Sequence, residues 1–201
     1  MSPSDTIRSV TETYAGPLRD EPLAVELHNT IYASGGSGVD GLADAGQAAA
    51  WIAAIGDRMP LADYPAGPPP SRSQLRELRT AVRSAFAAAL DGTDADAAAL
   101  AAINAASASA PCSPAIRLAE RGALARASDF HGATRAQAML AAFARDAIEI
   151  LTGPQRDELR VCGAPGCVLL FLRDHPRREW CSNACGNRAR QARHYQRVRG
   201  G

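Results

Sequence analysis

Apolar side chains recur at helical spacing over most of the first 150 residues. The clearest run opens at Ser71, where Gln74 supplies the second half of a capping box, and ends at Asp91-Gly92. Residues 133–151 show the same periodicity and end at Thr152-Gly153-Pro154. In the run that begins at Ser71, the apolar side of the predicted helix consists of Leu75, Leu78, Val82, Phe86 and Leu90. The pattern predicts a mainly α-helical N-terminal domain.

Three shorter runs predict further helices. Leu23, Leu27 and Ile31 recur at helical spacing, which favours a helix over 22–32, with a strand as the alternative. Asp44 caps a second predicted helix, in which Trp51 serves as a core anchor. Asp94 caps a third, with Leu100 and Ile103 facing inward.

Other segments lack helical periodicity. Residues 115–127 alternate apolar and polar side chains around Arg121-Gly122, which predicts a β-hairpin. Ser34–Gly38 is glycine-rich and predicts a flexible connector. We expect three units: a mobile arm over 1–21, a helical domain over 22–153, and a small C-terminal module over 154–201.

Four of the five cysteines lie in this last module, with the spacing C-x4-C-x13-C-x3-C. Short loops within each pair let two thiolates converge on one ion, and the longer gap allows the pairs to meet. Four thiolates complete a tetrahedral zinc site and leave no position for water. We therefore predict one structural zinc ion per chain, bound by Cys162, Cys167, Cys181 and Cys185.

The residues around these cysteines indicate a zinc-binding turn, a hairpin and a helix, similar to a treble clef. Residues 168–172 form an apolar run typical of a strand, and we expect a second short strand near 179–181. Ser182 or Asn183 can cap a helix that carries Cys185 in its first turn. The expected fold class is thus mainly α with a small β-hairpin, joined to a four-cysteine zinc finger.

Other uses of the cysteines fit less well. Two disulfides would suit an exported chain, but Met1–Asp20 shows no basic start followed by an apolar run. A redox pair usually has C-x-x-C spacing, which neither pair shows. His175 or His194 could replace a thiolate as a ligand, although four sulfurs make this unnecessary.

Charge is unevenly distributed along the chain. Residues 154–201 contain ten arginines and four acidic residues, for a net charge of +6, whereas residues 1–153 carry −5. This asymmetry is typical of a neutral or acidic body joined to a module that faces a polyanion. The sequence contains no lysine, so all of its Lys-or-Arg residues are arginines. Arginine suits phosphates and guanine edges, but a GC-rich genome would also favour arginine codons, so the clustering is the evidence.

The last helix is the best candidate for a nucleic-acid contact. Arg190, Arg193 and Arg197 recur at spacings of three and four, so they share one helix face. An arginine-faced helix held by zinc can read a DNA groove, and two fingers of a homodimer would enlarge the contact. A basic surface without a partner is the alternative. The candidate nucleic-acid-binding residues are Arg177, Arg178, Arg188, Arg190, Arg193 and Arg197.

These motifs resemble a known family. Trp180-Cys181 followed by Cys185-Gly186-Asn187-Arg188 is similar to the CGNR zinc finger. That finger usually follows a domain named ABATE, which is associated with stress-induced transcription regulation, and Leu27-His28-Asn29-Thr30 resembles a motif of that domain. The resemblance implies a bacterial-type transcriptional regulator whose finger binds double-stranded DNA.

The remaining features limit the function further. Arg79 or Arg83 could meet Glu26 or Asn29 in a pocket for a small anionic effector. No phosphate loop, nucleophile elbow or H-E-x-x-H motif is present, so we expect no enzymatic activity. No apolar run approaches the ~20 residues that cross a bilayer, so we expect a soluble cytoplasmic protein without membrane contact. A zinc-stabilised adaptor for an acidic protein surface, or an RNA-binding protein, is the alternative function.

Overall fold

Six α-helices and three antiparallel strand pairs make up the described part of the computed structural model, which covers residues 13–56, 58–59 and 63–199. About 51% of the chain is helical, which confirms the predicted mainly α class. The helices are α1 Leu23–His28, α2 Ala45–Gly56, α3 Arg72–Asp91, α4 Ala97–Ala108, α5 Arg135–Thr152 and α6 Asn183–Arg199. The strands are β1 Ile31–Ser34, β2 Ser37–Asp40, β3 Ser113–Leu118, β4 Leu124–Asp129, β5 Leu159–Val161 and β6 Leu170–Leu172, paired β1–β2, β3–β4 and β5–β6.

The two long helices start at complete capping boxes. Ser71 accepts a hydrogen bond from the Gln74 N–H at the start of α3, and the Gln74 side chain accepts one from the Ser71 N–H. Thr134 and Gln137 make the same reciprocal pair before α5. Gly92 ends α3 in the left-handed conformation, as the Asp91-Gly92 signal predicts.

Helix α5 forms the centre of the core, packed against α1, α3 and α4. Trp51 of α2 is fully buried and stacks on Phe143 of α5, with ring centroids 5.4 Å apart. The predicted role of Trp51 as a core anchor is therefore confirmed.

No helix in the described ranges is both long enough and apolar enough to cross a membrane.

The segment 22–40 differs from the sequence expectation. Helix α1 ends at His28, and the chain then forms the β1–β2 hairpin instead of a helix to residue 32 and a flexible connector. The Thr30 hydroxyl donates to the Leu27 carbonyl, which ends the helix, and the β-branched side chain of Ile31 suits a strand. Gly35 and Gly36 both have positive φ, so the glycines close a tight hairpin turn.

Helix α4 also differs from its prediction. Its N-cap is Asp96, whose side chain accepts a hydrogen bond from the Ala98 N–H, whereas Asp94 precedes the helix. Leu100 is exposed rather than inward, and the buried residues of α4 are Ala99 and Ile103, so the inward position predicted for Ile103 is found. The β3–β4 hairpin, by contrast, forms around Arg121-Gly122 as predicted.

Only part of the expected mobile arm can be described, because residues 1–12 lie outside the described residues. For residues 13–21 the expectation is wrong, since Tyr14 and Glu21 are buried. Burial of the hydroxyl raises the pKa of Tyr14 above its ordinary value. The start of the described chain is thus part of the packed body.

Two buried side chains join the helical body to the C-terminal module. The Asn29 side-chain amide donates to the Leu170 carbonyl, and its oxygen accepts from the Leu170 N–H, both at 2.9 Å. Glu21 accepts from the Leu172 N–H at 3.0 Å and pairs with Arg178. Strand β6 is therefore held by side chains that precede it by about 140 residues or more.

Removing the Asn29 amide should destabilise the whole protein. In Asn29→Ala the buried N–H and C=O of Leu170 both lose their partner, which costs about 2–4 kcal/mol of unfolding free energy. Chemical denaturation would measure this loss. Asn104→Ala is the matched control, because Asn104 is exposed on α4, and it should change stability by less than about 0.5 kcal/mol. Equal stability of the two variants would contradict the claim that the Asn29–Leu170 contact holds β6 on the helical body.

Candidate metal centre and nucleic-acid interface

The first two cysteines lie in the turn that connects β5 to β6. Cys162 directly follows β5, and its N–H donates to the Leu169 carbonyl at 2.9 Å. The Cys167 N–H donates to the Ala164 carbonyl at 3.0 Å, and Gly166 adopts a φ of +70° in this tight turn. The turn therefore directs both sulfurs to one side of the hairpin.

The second pair is held by the start of α6. The Ser182 hydroxyl accepts from the Cys185 N–H at 3.3 Å, so Ser182 caps the helix, one of the two predicted capping residues. The Cys181 N–H donates to the Cys162 sulfur at 3.4 Å, which links the two pairs directly. The backbone thus supplies hydrogen bonds that position the sulfurs.

All four sulfurs lie within 4.8 Å of one another. The Cys167–Cys181 and Cys181–Cys185 sulfur separations are 3.8 and 3.5 Å. A tetrahedral zinc site with Zn–S bonds of about 2.3 Å has sulfur–sulfur edges of about 3.8 Å, whereas a disulfide requires about 2.05 Å. The geometry fits one structural zinc ion and leaves no disulfide among these four residues, which are the four predicted ligands.

Electrostatics within the cluster also suit a cation. A hydrogen bond from Cys181 lowers the pKa of the Cys167 thiol to about 5, and the same interaction raises the pKa of Cys181. The sulfurs thus hydrogen-bond to one another. A bound zinc ion would displace the protons, and all four sulfurs would then bind as thiolates. The Arg188 guanidinium donates to the Cys185 sulfur at 3.4 Å and adds positive charge beside the cluster.

The hairpin of this module is built differently from the sequence expectation. Strand β6 pairs with β5, which precedes the first cysteine, and residues 179–181 form no strand. The cysteine turn is consequently the turn of the hairpin itself. His175 and His194, the alternative ligands, are outside the sulfur cluster.

Trp180 packs on the start of α6 beside the cluster. A Cβ atom at Gly186 would lie only 3.0 Å from the Trp180 ring, so glycine permits the close contact. The same ring lies near the guanidinium groups of Arg190 and Arg193, at 5.7 and 5.8 Å from its centroid. The residues Trp180 and Gly186 therefore set where two α6 arginines lie.

Two family models match the chain. The ABATE model, described as "Putative stress-induced transcription regulator", matches residues 21–154, and the CGNR zinc finger model matches residues 158–198. The chain belongs to the ABATE family. Its last matched segment is the CGNR zinc finger, so the family suggested by the sequence motifs is confirmed. Comparison with curated proteins gives no match.

In the CGNR finger, most of the predicted nucleic-acid-binding arginines are exposed. Arg188, Arg190, Arg193 and Arg197 are exposed on α6, and Arg177 is exposed on the loop before it. The buried residues of α6 are Cys185, Gly186 and Ala189, all in its first half. The second half of α6 therefore projects its arginines away from the metal cluster.

Arg178 does not belong with this set. It pairs with buried Glu21, donates to the Leu172 carbonyl at 2.9 Å, and lies 4.8 Å from the centre of the Phe171 ring. Its guanidinium is thus occupied in the joint between the ABATE domain and the finger. The prediction that Arg178 contacts nucleic acid is therefore corrected: its guanidinium is already paired with the Glu21 carboxylate. The two residues are 157 positions apart in the sequence.

The predicted effector pocket around Glu26, Asn29, Arg79 and Arg83 does not form. Buried Arg79 pairs with Asp40, and one of the hydrogen bonds measures 2.9 Å; it also bonds the Thr30 hydroxyl at 3.0 Å. Glu26 accepts from the N–H groups of Arg19 and Glu21 and pairs with Arg58. These side chains are therefore already paired: Glu26 and Arg79 pair within the helical body, and Asn29 bonds the Leu170 backbone of the C-terminal module.

Arg83 lies against His28 instead. Its guanidinium donates to the His28 carbonyl at 3.1 Å. Burial lowers the pKa of His28 to about 3, with Arg83 contributing, so the imidazole is neutral at pH 7. The stripe of arginines along α3, Arg76, Arg79 and Arg83, therefore holds the β1–β2 hairpin and α1 in place. The residues that sequence reasoning missed are the partners of this stripe, Asp40 and His28.

Loss of one sulfur should remove the metal. Cys181→Ser should lose stoichiometric zinc and unfold the CGNR finger, because structural zinc typically contributes about 10–16 kcal/mol of apparent binding free energy in small fingers. Cys112→Ser is the matched control, since Cys112 is an exposed free thiol outside the cluster. Metal analysis of the purified variants, together with circular dichroism, distinguishes them. Stoichiometric zinc in Cys181→Ser would contradict the ligand assignment.

Proposed function

We propose that this protein is a zinc-dependent, DNA-binding transcriptional regulator, in which α6 of the CGNR finger contacts the duplex. The observation that supports the proposal is the exposed arginine side of α6, a helix whose first turns are anchored on the metal cluster. The ABATE domain would serve as the sensor or dimerisation module. The family descriptions support zinc binding and regulation, and the DNA contact rests on the arginines.

The dimensions of α6 suit a DNA groove. Its 17 residues extend about 25 Å, and a helix of this kind enters the major groove, which is about 12 Å wide. Arg190 and Arg193 are ordered against Trp180, so less side-chain entropy is lost when they meet a phosphate or a guanine edge. Arg188 and Arg197 extend the positive surface on either side along the helix.

One finger offers only a modest contact, roughly 600–1,000 Å² for a single module. We therefore propose that two copies bind a repeated or palindromic site together. Binding to DNA would place the protein in the cytoplasm of a bacterial-type cell, and five cysteines without a disulfide are compatible with that reducing compartment. A regulator of this kind needs no enzymatic activity.

A specific observation favours a second candidate, a protein-binding adaptor. Tyr195 and Val198 are exposed near the end of α6, among the arginines. Apolar side chains contribute little to phosphate binding but suit a protein surface with acidic and apolar parts. Under this alternative α6 would bind such a surface, and duplex DNA would not compete for it.

The DNA contact predicts a steep salt dependence. If Arg177, Arg188, Arg190, Arg193 and Arg197 each neutralise a phosphate, the logarithm of the binding constant should fall with that of the salt concentration at a slope of about −4 to −5. Fluorescence anisotropy with a random-sequence duplex at several salt concentrations measures the slope. A slope near zero would favour the adaptor.

Charge reversal on α6 tests the same contact directly. Arg190→Glu combined with Arg193→Glu should weaken duplex binding about 100-fold or more at 0.1 M salt, while zinc content and helicity stay unchanged. Arg72→Glu combined with Arg156→Glu makes the same change in net charge on exposed residues elsewhere, and should bind nearly as the unaltered protein does. Undiminished DNA binding by the α6 variant would refute the proposed function.

A further inference from the structure

The β3–β4 hairpin turns its apolar side away from the body. Ile116, Leu118 and Leu124 are 77%, 74% and 74% exposed, and the pairing of Leu118 with Leu124 places all three on one face. The opposite face carries three half-buried alanines, Ala115, Ala125 and Ala127. A hairpin that covers a domain normally places its large aliphatic side chains inward, so this arrangement is inverted.

The hairpin is nevertheless firmly attached at its base. Ala110 precedes β3 and Phe130 follows β4, and both are buried with Ala138 and Ala141 of α5. The strands pair only with each other among the described residues. The hairpin thus presents three adjoining large aliphatic side chains, whereas the other large hydrophobic residues that are exposed in the described ranges are scattered over α4, the finger and the end of α6. A contiguous apolar patch of this kind marks an interaction surface.

We propose that this face is a dimer interface, and that its occupant is the same face of a second copy of the chain. This inference deepens the proposed function, because it names the surface that would bring two fingers together. A twofold axis lets one apolar patch cover itself, so no second complementary patch is needed on the chain. Residues 1–12, the longest stretch outside the described ranges, contain only two large aliphatic residues apart from Met1, namely Ile7 and Val10. These residues would therefore cover the apolar face less completely than a second copy of the hairpin would.

Charge on the hairpin supports self-association. Arg126 pairs with Ile116 in the register and is the charged residue on the apolar face, while Glu120 lies at the turn. If two hairpins pack antiparallel about an axis through the Leu118–Leu124 pair, Arg126 of one copy comes level with Glu120 of the other. The turn also carries exposed Arg121, so the attraction at each end of the apolar contact rests on the specific pair of Arg126 with Glu120.

The size of the patch sets the expected strength. A standard interface contributes about 800 Å² from each partner, and three aliphatic side chains provide only part of that area. The dimer should consequently dissociate on dilution and be populated at micromolar protein concentrations. Binding of both fingers to one DNA site would then reinforce it through effective concentration.

The test is the oligomeric state of the full-length, zinc-loaded protein without DNA. Sedimentation velocity over a concentration series should show a monomer–dimer equilibrium, and Leu118→Glu combined with Leu124→Glu should raise the dissociation constant at least about 100-fold by placing charges in the contact. Arg117→Glu, on the same strand but on the opposite face, is the control and should dimerise normally. Circular dichroism and zinc content should be unchanged in all variants, because these side chains are exposed.

Two results would overturn the inference: a monomer throughout the concentration series, or a dimer that persists unchanged in the Leu118→Glu, Leu124→Glu variant. The charge pair gives an independent check, since Arg126→Glu should weaken the dimer and the added change Glu120→Arg should restore it. Failure here is distinguishable from failure of the proposed function, because a monomeric hairpin variant should still bind duplex DNA through α6. Loss of DNA binding only in the α6 variants would concern the finger alone.

Discussion

Convergence of four sulfurs on one ion is the constraint on which the C-terminal part of the molecule depends. Strands β5 and β6 have only three residues each, too few to be stable alone. Helix α6 buries only three residues, so it has little apolar contact to hold it. A tetrahedral zinc site joins these weak elements, because one cysteine pair lies in the β5–β6 turn and the other at the start of α6. The direction of the arginine side of α6 follows from that junction.

The ABATE domain contributes to this arrangement through polar contacts. Asn29 satisfies both backbone groups of Leu170, and Glu21 holds the Leu172 N–H together with Arg178. Buried polar groups stabilise a structure only when they are paired, so these contacts favour one orientation of β6 on the body. A change in the ABATE domain near α1 could therefore reach the finger through a short path. The family description as a regulator is compatible with such coupling.

Features set by local sequence signals could be predicted, whereas contacts between residues far apart in the sequence could not. The capping box at Ser71 and the turn at Arg121-Gly122 are local, and they form as the sequence indicates. The spacing of the cysteines predicted the metal site for the same reason. By contrast, Asn29 and Leu170 are 141 residues apart, and no pattern in either segment indicates their contact.

Arginine roles show the same limit. A stripe of arginines on α3 and a run of arginines in the finger look alike in sequence, yet Arg79 and Arg178 are bound to carboxylates while Arg193 and Arg197 are exposed. The acidic partners lie 39 and 157 residues away, which periodicity cannot reveal. Strand β5 was missed because three residues are too few to show alternation.

X-ray absorption at the zinc edge of the purified protein tests the central claim most directly. The account predicts a first shell of four sulfurs at about 2.3 Å, with no nitrogen or oxygen ligand. A shell that contained nitrogen or oxygen, or fewer than four sulfurs, would contradict it, as would a purified protein that held no zinc.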